Sequence, residues 1–293
     1  MNLKTLSRCL LLAAFLLWPN GAAGTFAQKP TPTPGPLLTR TTTRRETRKL
    51  GLASTVTLLG GPTGSITIEG WNKQEIEIVA DIELKAATET ELNQLSAINN
   101  FTLDEGFTSL NIITVGSHDK DFIKRYAKGF PKKLIGASWR IDYRLKVPTT
   151  TDLDINGGYG TIVLRGVEGA IILKTLQGDA DLTLTGGTVR ATIGRGTVNV
   201  KLLSRSWRGG GVDIQLASGD LNVTLPLSYS CDLDAQILRT GKLENSYEGL
   251  LPRERTTPTP IYLQGRSGAG GARLVFTVGD GNLRLQPATP KEP

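Results

Sequence analysis

Histidine and methionine each occur once in the 293 residues, and cysteine only twice. Cys9 lies in an apolar amino-terminal run, so Cys231 is the lone thiol of the remaining chain and no intramolecular disulfide is expected there. His118, with only Asp119 and Asp121 beside it, lacks the spaced histidine and cysteine partners of a zinc centre. No nucleophile elbow appears, and the glycine-rich GRSGAGG at 265–271 has no following lysine, which argues against a hydrolase triad and a phosphate loop. Beyond the amino terminus no apolar run approaches the roughly 20 residues that a membrane-spanning helix needs. The expected cofactor complement is none.

What the chain does have is glycine at a fixed interval. Gly160, Gly169, Gly178, Gly187 and Gly196 return every nine residues, dividing 160–204 into GTIVLRGVE, GAIILKTLQ, GDADLTLTG, GTVRATIGR and GTVNVKLLS. The third place of each nonad is apolar (Ile162, Ile171, Ala180, Val189, Val198), and so is the fifth (Leu164, Leu173, Leu182, Ala191, Val200). Leu153 and Ile155 extend the pattern backwards. Apolar residues two apart give a strand with one buried face, and glycine supplies the turn between strands. Nine residues cannot bury such a face alone, so the units must stack. The expected fold is all-β: a β-solenoid or β-helix-like stack of short glycine-punctuated strands at 149–286. Two nonads per coil would align Val163, Asp181, Asn199 and Asn222 on one outer face, and Ile172, Arg190 and Asp213 on the other. The turn positions after each glycine are Thr161, Ala170, Asp179, Thr188 and Thr197, which lack the repeated aspartates of a calcium-binding roll.

Residues 1–27 read as a signal peptide, with Lys4 and Arg8 before an apolar run to Trp18 and small residues near Gly24 and Ala27. A proline- and threonine-rich linker is expected at 28–49, and a disordered tail at 287–293. Between linker and stack, residues 50–148 read as a β-rich portion with one short helix in ATETELNQLSAI, capped by Thr88 or Thr90. A basic insertion at 117–135 spaces Phe122, Tyr126 and Phe130 four apart, which suits a further short amphipathic helix. The net charge of +7 is concentrated there and in Arg40–Lys49.

The segments GSITIEGWNKQEIEI, YRLKVPTTTDLDINGGYGTIVL and GDGNLRL, with glycine–aspartate turns at Gly178 and Gly219 and a Leu225–Pro226 step, resemble the bacterial putative-adhesin repeat family over roughly 55–286. The resemblance implies a β-helical domain in the cell envelope and carries no catalytic residues. The insertion at 117–135 departs from it.

The expected function is therefore that of an exported, non-enzymatic envelope protein whose stack offers a binding or scaffolding surface to a glycan or another envelope protein. No nucleic-acid partner is expected. A polysaccharide-acting enzyme is the first alternative, and it requires acids converging on one face. A membrane-facing sensor is the second. Trp207, flanked by Arg205 and Arg208 in the five-residue interruption RSWRG, is the candidate sugar contact, through ring stacking and anion pairing. Lys124, Arg125, Lys132 and Lys133 are the candidate contacts for an anionic membrane surface.

Overall fold

Strands alternating aliphatic and polar residues can bury one face while their backbones pair sideways, and this chain does so almost throughout. The computed structural model describes residues 36–51, 53–61, 63–252 and 257–288. The expected signal peptide at 1–27, the linker's first part at 28–35 and the tail's end at 289–293 lie outside the described residues.

The first elements are β1 (Leu38–Lys49), β2 (Thr55–Leu59), β3 (Ile66–Trp71), β4 (Glu75–Ala86), α1 (Glu89–Ile98), β5 (Asn100–Glu105), β6 (Ser109–Val115), α2 (Lys120–Tyr126) and β7 (Trp139–Pro148). The repeat supplies β8 (Asp152–Tyr159), β9 (Ile162–Arg165), β10 (Ala170–Gln177), β11 (Ala180–Leu184), β12 (Thr188–Arg195), β13 (Val198–Leu202), β14 (Gly211–Ser218) and β15 (Leu221–Leu225). After it come β16 (Cys231–Thr240), β17 (Leu243–Asn245), β18 (Leu250–Pro252), β19 (Tyr262–Ser267), β20 (Ala272–Asp280) and β21 (Leu283–Pro287). The fold is all-β, in two mixed sheets. One has ten strands, ordered β1-β4-β7-β3-β9-β11-β13-β15-β21-β17, and the other eleven, ordered β18-β19-β16-β20-β14-β12-β10-β8-β2-β6-β5.

Through the repeat the strands run parallel with an eighteen-residue offset: Ile171 lies beside Val189, and Ala180 beside Val198. The third- and fifth-place residues all point inward and are buried. The outer rows also fall as the two-nonad coil requires, with Asp181 between Val163 and Asn199, and Arg190 between Ile172 and Asp213. One corner of the stack is a column of glycines. Gly160, Gly178 and Gly196 have φ of +150°, +149° and +150°. A Cβ on Gly196 would stand 2.1 Å from the Gly178 carbonyl oxygen, so only glycine lets successive turns approach this closely. Asp179 and Asp220 brace the same corner by accepting the Thr197 and Asn282 backbone N–H groups at 2.8 and 3.1 Å.

The spatial order of strands departs from the sequence order at both ends. β20 lies between β14 and β16, and β21 between β15 and β17, so the last strands of the chain slot inside those that precede them. The corner column follows suit: Gly281 packs on the Gly219 carbonyl and Gly241 on that of Gly281. At the other end β2 lies between β6 and β8, and β3 between β7 and β9. Both sheets therefore pass through the 148/149 boundary without a break.

The amino-terminal end is closed by antiparallel pairing. β1 pairs with β4 and β4 with β7, which corrects the expected linker: residues 38–49 are a strand. Its threonines favour extended backbone, and its arginines at 40, 44 and 48 share one face and have partners across the end of the stack. The Arg44 guanidinium sits 4.2 Å over the Phe101 ring and donates to the Phe101 carbonyl oxygen at 2.7 Å. Arg48 pairs with Glu105 at 2.6 Å, and Arg40 pairs with Glu89 of α1. Thr88 caps α1, accepting from the Glu91 N–H, and Leu92 and Leu95 are buried beneath it. The basic insertion holds the second helix, α2, whose buried residue is Ile123. At the other terminus Pro287 pairs with Leu225 and the Ala288 N–H donates to the Leu225 carbonyl, so the start of the expected tail belongs to the sheet.

Candidate functional site

Parallel strands display their outward residues in rows across the sheet, so a site on this surface is assembled one residue per strand. On the eleven-stranded sheet one row runs Arg190, Asp213, Val275, Asp234 and Gln264. In the neighbouring row Thr188 lies beside Gly211, and Arg273 beside Asp232. Gly211 presents no side chain at all, and a Cβ there would stand 2.2 Å from the Arg273 carbonyl oxygen. Beside it lies a recess of about 310 Å³ bordered by Arg190, Gly210, Asp213 and Arg273. A second recess, of about 280 Å³, is bordered by Asp232, Asp234, Gln264 and Arg273. The two recesses share Arg273 of β20 as a border and together make up a groove across these strands.

The charges in this groove are unevenly satisfied. Arg266 pairs with Asp232 at 2.7 Å. Asp213 accepts from the Gln215 side chain at a long 3.4 Å. Arg190, Arg273 and Asp234 have no ion pair or side-chain hydrogen bond among the described residues. A wider recess of about 550 Å³ lies by Leu227, Tyr247 and Pro287, but Glu248 is the single charged residue at its border.

The ten-stranded sheet handles its outer polar residues differently. Asn199 donates to Asp181 at 2.8 Å, Asn222 donates to Asn199 at 3.0 Å, and Arg284 bonds both Asp220 and Glu244. Burial would raise the Asp220 pKa, but bonds from Asn282 and Arg284 outweigh it and hold the carboxyl below its ordinary value. This row is closed on itself, and its groups are occupied within the protein.

Trp207 lies against the core, and its indole N–H donates to the Gly187 carbonyl oxygen at 3.0 Å. The ring anchors the interruption instead of projecting from it, while Arg205 and Arg208 remain exposed. The anchored segment leads directly into Gly210 and Gly211, so it shapes the groove. Of the basic quartet, Lys124, Arg125 and Lys132 are exposed, and Lys133 is engaged with Glu91. Asp119 accepts the Asp121 and Phe122 backbone N–H groups as the cap of α2. His118 stacks on Trp139 at 5.6 Å, and burial lowers its pKa. Cys231 is fully buried, and desolvation pushes its thiol up to about 12. Tyr159, the last residue of β8, is 53% exposed. Among the described residues no three His, Cys, Asp or Glu side chains gather where they could hold a metal.

Arg190 and Asp213 were legible as neighbours from the nine-residue count. Arg273 and Asp234 were not, because β20 enters the sheet out of sequence order.

No family model and no curated protein matches the chain. Among solved structures it is similar to a putative cell adhesion protein from Clostridium sporogenes ATCC 15579, at 14% identity and TM-score 0.44, over 84% of this chain and 100% of that one. It is also similar to a putative adhesin from Bacteroides fragilis NCTC 9343, at 9% identity and TM-score 0.26, over 83% and 97% of the two chains. A putative lipid binding protein from Parabacteroides distasonis ATCC 8503 matches at 10% identity and TM-score 0.19, over 84% and 97%. Likeness at this level assigns neither family nor function.

Proposed function

We propose that this is an exported, non-enzymatic envelope protein, and that its glycine-cornered stack is a β-solenoid presenting a rigid binding surface to a glycan or another envelope protein. The observation that carries this reading is the groove around Arg273, where Arg190, Arg273 and Asp234, without an ion pair among the described residues, stand on a ladder fixed by hydrogen bonds on both flanks. Fixed donors and acceptors lose little freedom when a ligand arrives, which favours recognition of an extended polar chain. An enzymatic reading needs acids close enough to act together on one bond. Asp213 and Asp234 stand two strands apart, with Cα atoms about 9.5 Å from one another, and release of reducing ends from a polysaccharide by the purified chain would overturn the non-enzymatic reading. Export rests on the amino-terminal pattern of a charged start, an apolar run and small residues. No described helix is long and apolar enough to cross a membrane.

The test is to incubate the purified chain, lacking residues 1–27, with cell-wall polysaccharides, capsular polysaccharides and an envelope protein extract. Retention on at least one of these, saturable and reversible, is the expected result. Absence of binding to all of them overturns the proposal. The exposed Lys124, Arg125 and Lys132 support a second reading, peripheral contact with an anionic membrane. Co-sedimentation with anionic vesicles that survives charge reversal at these three residues discards it.

A further inference from the structure

Three arginines of the last strands have a carboxylate of their own among the described residues. Arg239 pairs with Asp280 at 2.6 Å, Arg266 with Asp232 at 2.7 Å, and Arg284 with both Asp220 and Glu244 at 3.3 and 3.2 Å. Arg190 and Arg273 have no ion pair among the described residues, and Arg165, Arg195, Arg205 and Arg208 share this; what singles out Arg190 and Arg273 is that both border one recess. They stand on strands β12 and β20, with β14 between them. Two strand spacings and a two-residue offset place their Cα atoms roughly 12 Å apart. An extended oligomer can engage both guanidinium groups at that separation.

The acids in the same groove narrow the choice of ligand. Guanidinium groups are donors only and favour carboxylates, which they can bind through two parallel bonds. The carboxylate oxygens of Asp213 and Asp234 accept hydrogen bonds, and neighbouring sugar hydroxyls supply the donors. A polyanionic peptide would match the arginines but press like charge against both aspartates. A neutral glycan would satisfy the aspartates and leave the arginines without a counter-charge. A sugar polymer carrying ring carboxylates beside hydroxyls meets both demands. Resting on the glycan-binding reading above, we propose that the groove around Arg273 binds an acidic polysaccharide, with Arg273 and Arg190 holding carboxylates and Asp213 and Asp234 accepting from hydroxyls.

The experiment measures binding to polygalacturonate, alginate and polysialic acid, with dextran as the neutral glycan and polyglutamate as the acidic non-sugar, at about 0.15 M salt, where weak surface charge pairing is screened. Wild type is expected to bind at least one acidic polysaccharide at least about tenfold more tightly than dextran or polyglutamate, the size of one lost charge-assisted bond. Arg273→Gln should weaken that binding about tenfold, and Arg190→Gln with Arg273→Gln further still. Lys201→Gln removes a cation from the other sheet and should change nothing. All these side chains are exposed, and matching melting temperatures confirm that the variants fold. Unchanged affinity in the double variant overturns the groove while leaving glycan binding intact. Polyglutamate binding as tight as the acidic glycans overturns the sugar component. No binding to any polysaccharide overturns the glycan reading itself.

Discussion

Replacing Gly196 by alanine tests the corner column where it is most confined. Gly196 sits at φ +150°, a region that residues with a Cβ avoid, at a cost of about 1–3 kcal/mol. The added methyl would also stand 2.1 Å from the Gly178 carbonyl oxygen, well inside the contact distance of about 3.5 Å. Relief requires the turn to move by more than about 1 Å. That movement is opposed by the bond from the Gly196 N–H to the Ser218 carbonyl at 3.2 Å and from the Gly178 N–H to the Arg195 carbonyl at 2.9 Å. Weakening both adds about 1–2 kcal/mol. The total is about 2–5 kcal/mol, which for a chain of this size lowers the melting temperature by roughly 4–20 °C. Thermal and urea melts followed by far-ultraviolet circular dichroism read this directly. Gly51→Ala is the control: its Cβ would meet the Ser54 hydroxyl at an ordinary 3.5 Å, so its effect should stay within about 0.5 kcal/mol. A Gly196→Ala protein melting within about 2 °C of wild type would refute the close-approach argument.

Three further expectations follow from the same contacts. Cys231, buried and with its thiol pushed up to about 12, should react with a thiol-specific disulfide reagent at pH 8 at least about 100-fold more slowly in the native protein than in urea. Asp81, Asp142 and Asp220 are held below the ordinary carboxylate range: Asp81 chiefly by the Thr43 hydroxyl, the other two by bonds that overcome desolvation, from Arg140 and Ser65 or from Asn282 and Arg284. Carboxylates with lowered native pKa values stabilise the fold above their unfolded pKa of about 4, so these contributions should hold steady from pH 5 to 8 and disappear as pH falls below about 4, seen as a falling melting temperature. Deleting residues 272–293 removes β20 and β21 from inside the sheets, leaving β14, β15, β16 and β17 without a shared partner. The truncated chain should lose cooperative unfolding, whereas loss of one terminal repeat from an ordinary stack leaves the remainder folded.

How far the sequence could be read depended on whether neighbours in space were also neighbours in the count. From Leu153 to Val200 the spacing of glycine and aliphatic residues gave inward faces, outer rows and an eighteen-residue offset, because each turn repeats the geometry of the last. Thr88 and Leu92 likewise identified α1, since cap and apolar spacing are local signals. β1 was missed because its arginines and threonines resemble a solvated linker in composition, and its order comes from pairing with β4 and from partners on β5 and α1. The groove was half visible. Arg190 and Asp213 follow from periodicity, but Arg273 meets them only because a distant segment inserts beside β14. No nine-residue register encodes that insertion.

The same inserted strands decide how the molecule bears tension. A pull on the carboxyl end acts along β21, which is gripped on one side by five paired residues of β15 and on the other by three of β17. Extraction must shear both rows of bonds at once, whereas a strand at the rim would peel away bond by bond. A chain that tethers a surface through its last residues would thus transmit load straight into the middle of its own framework.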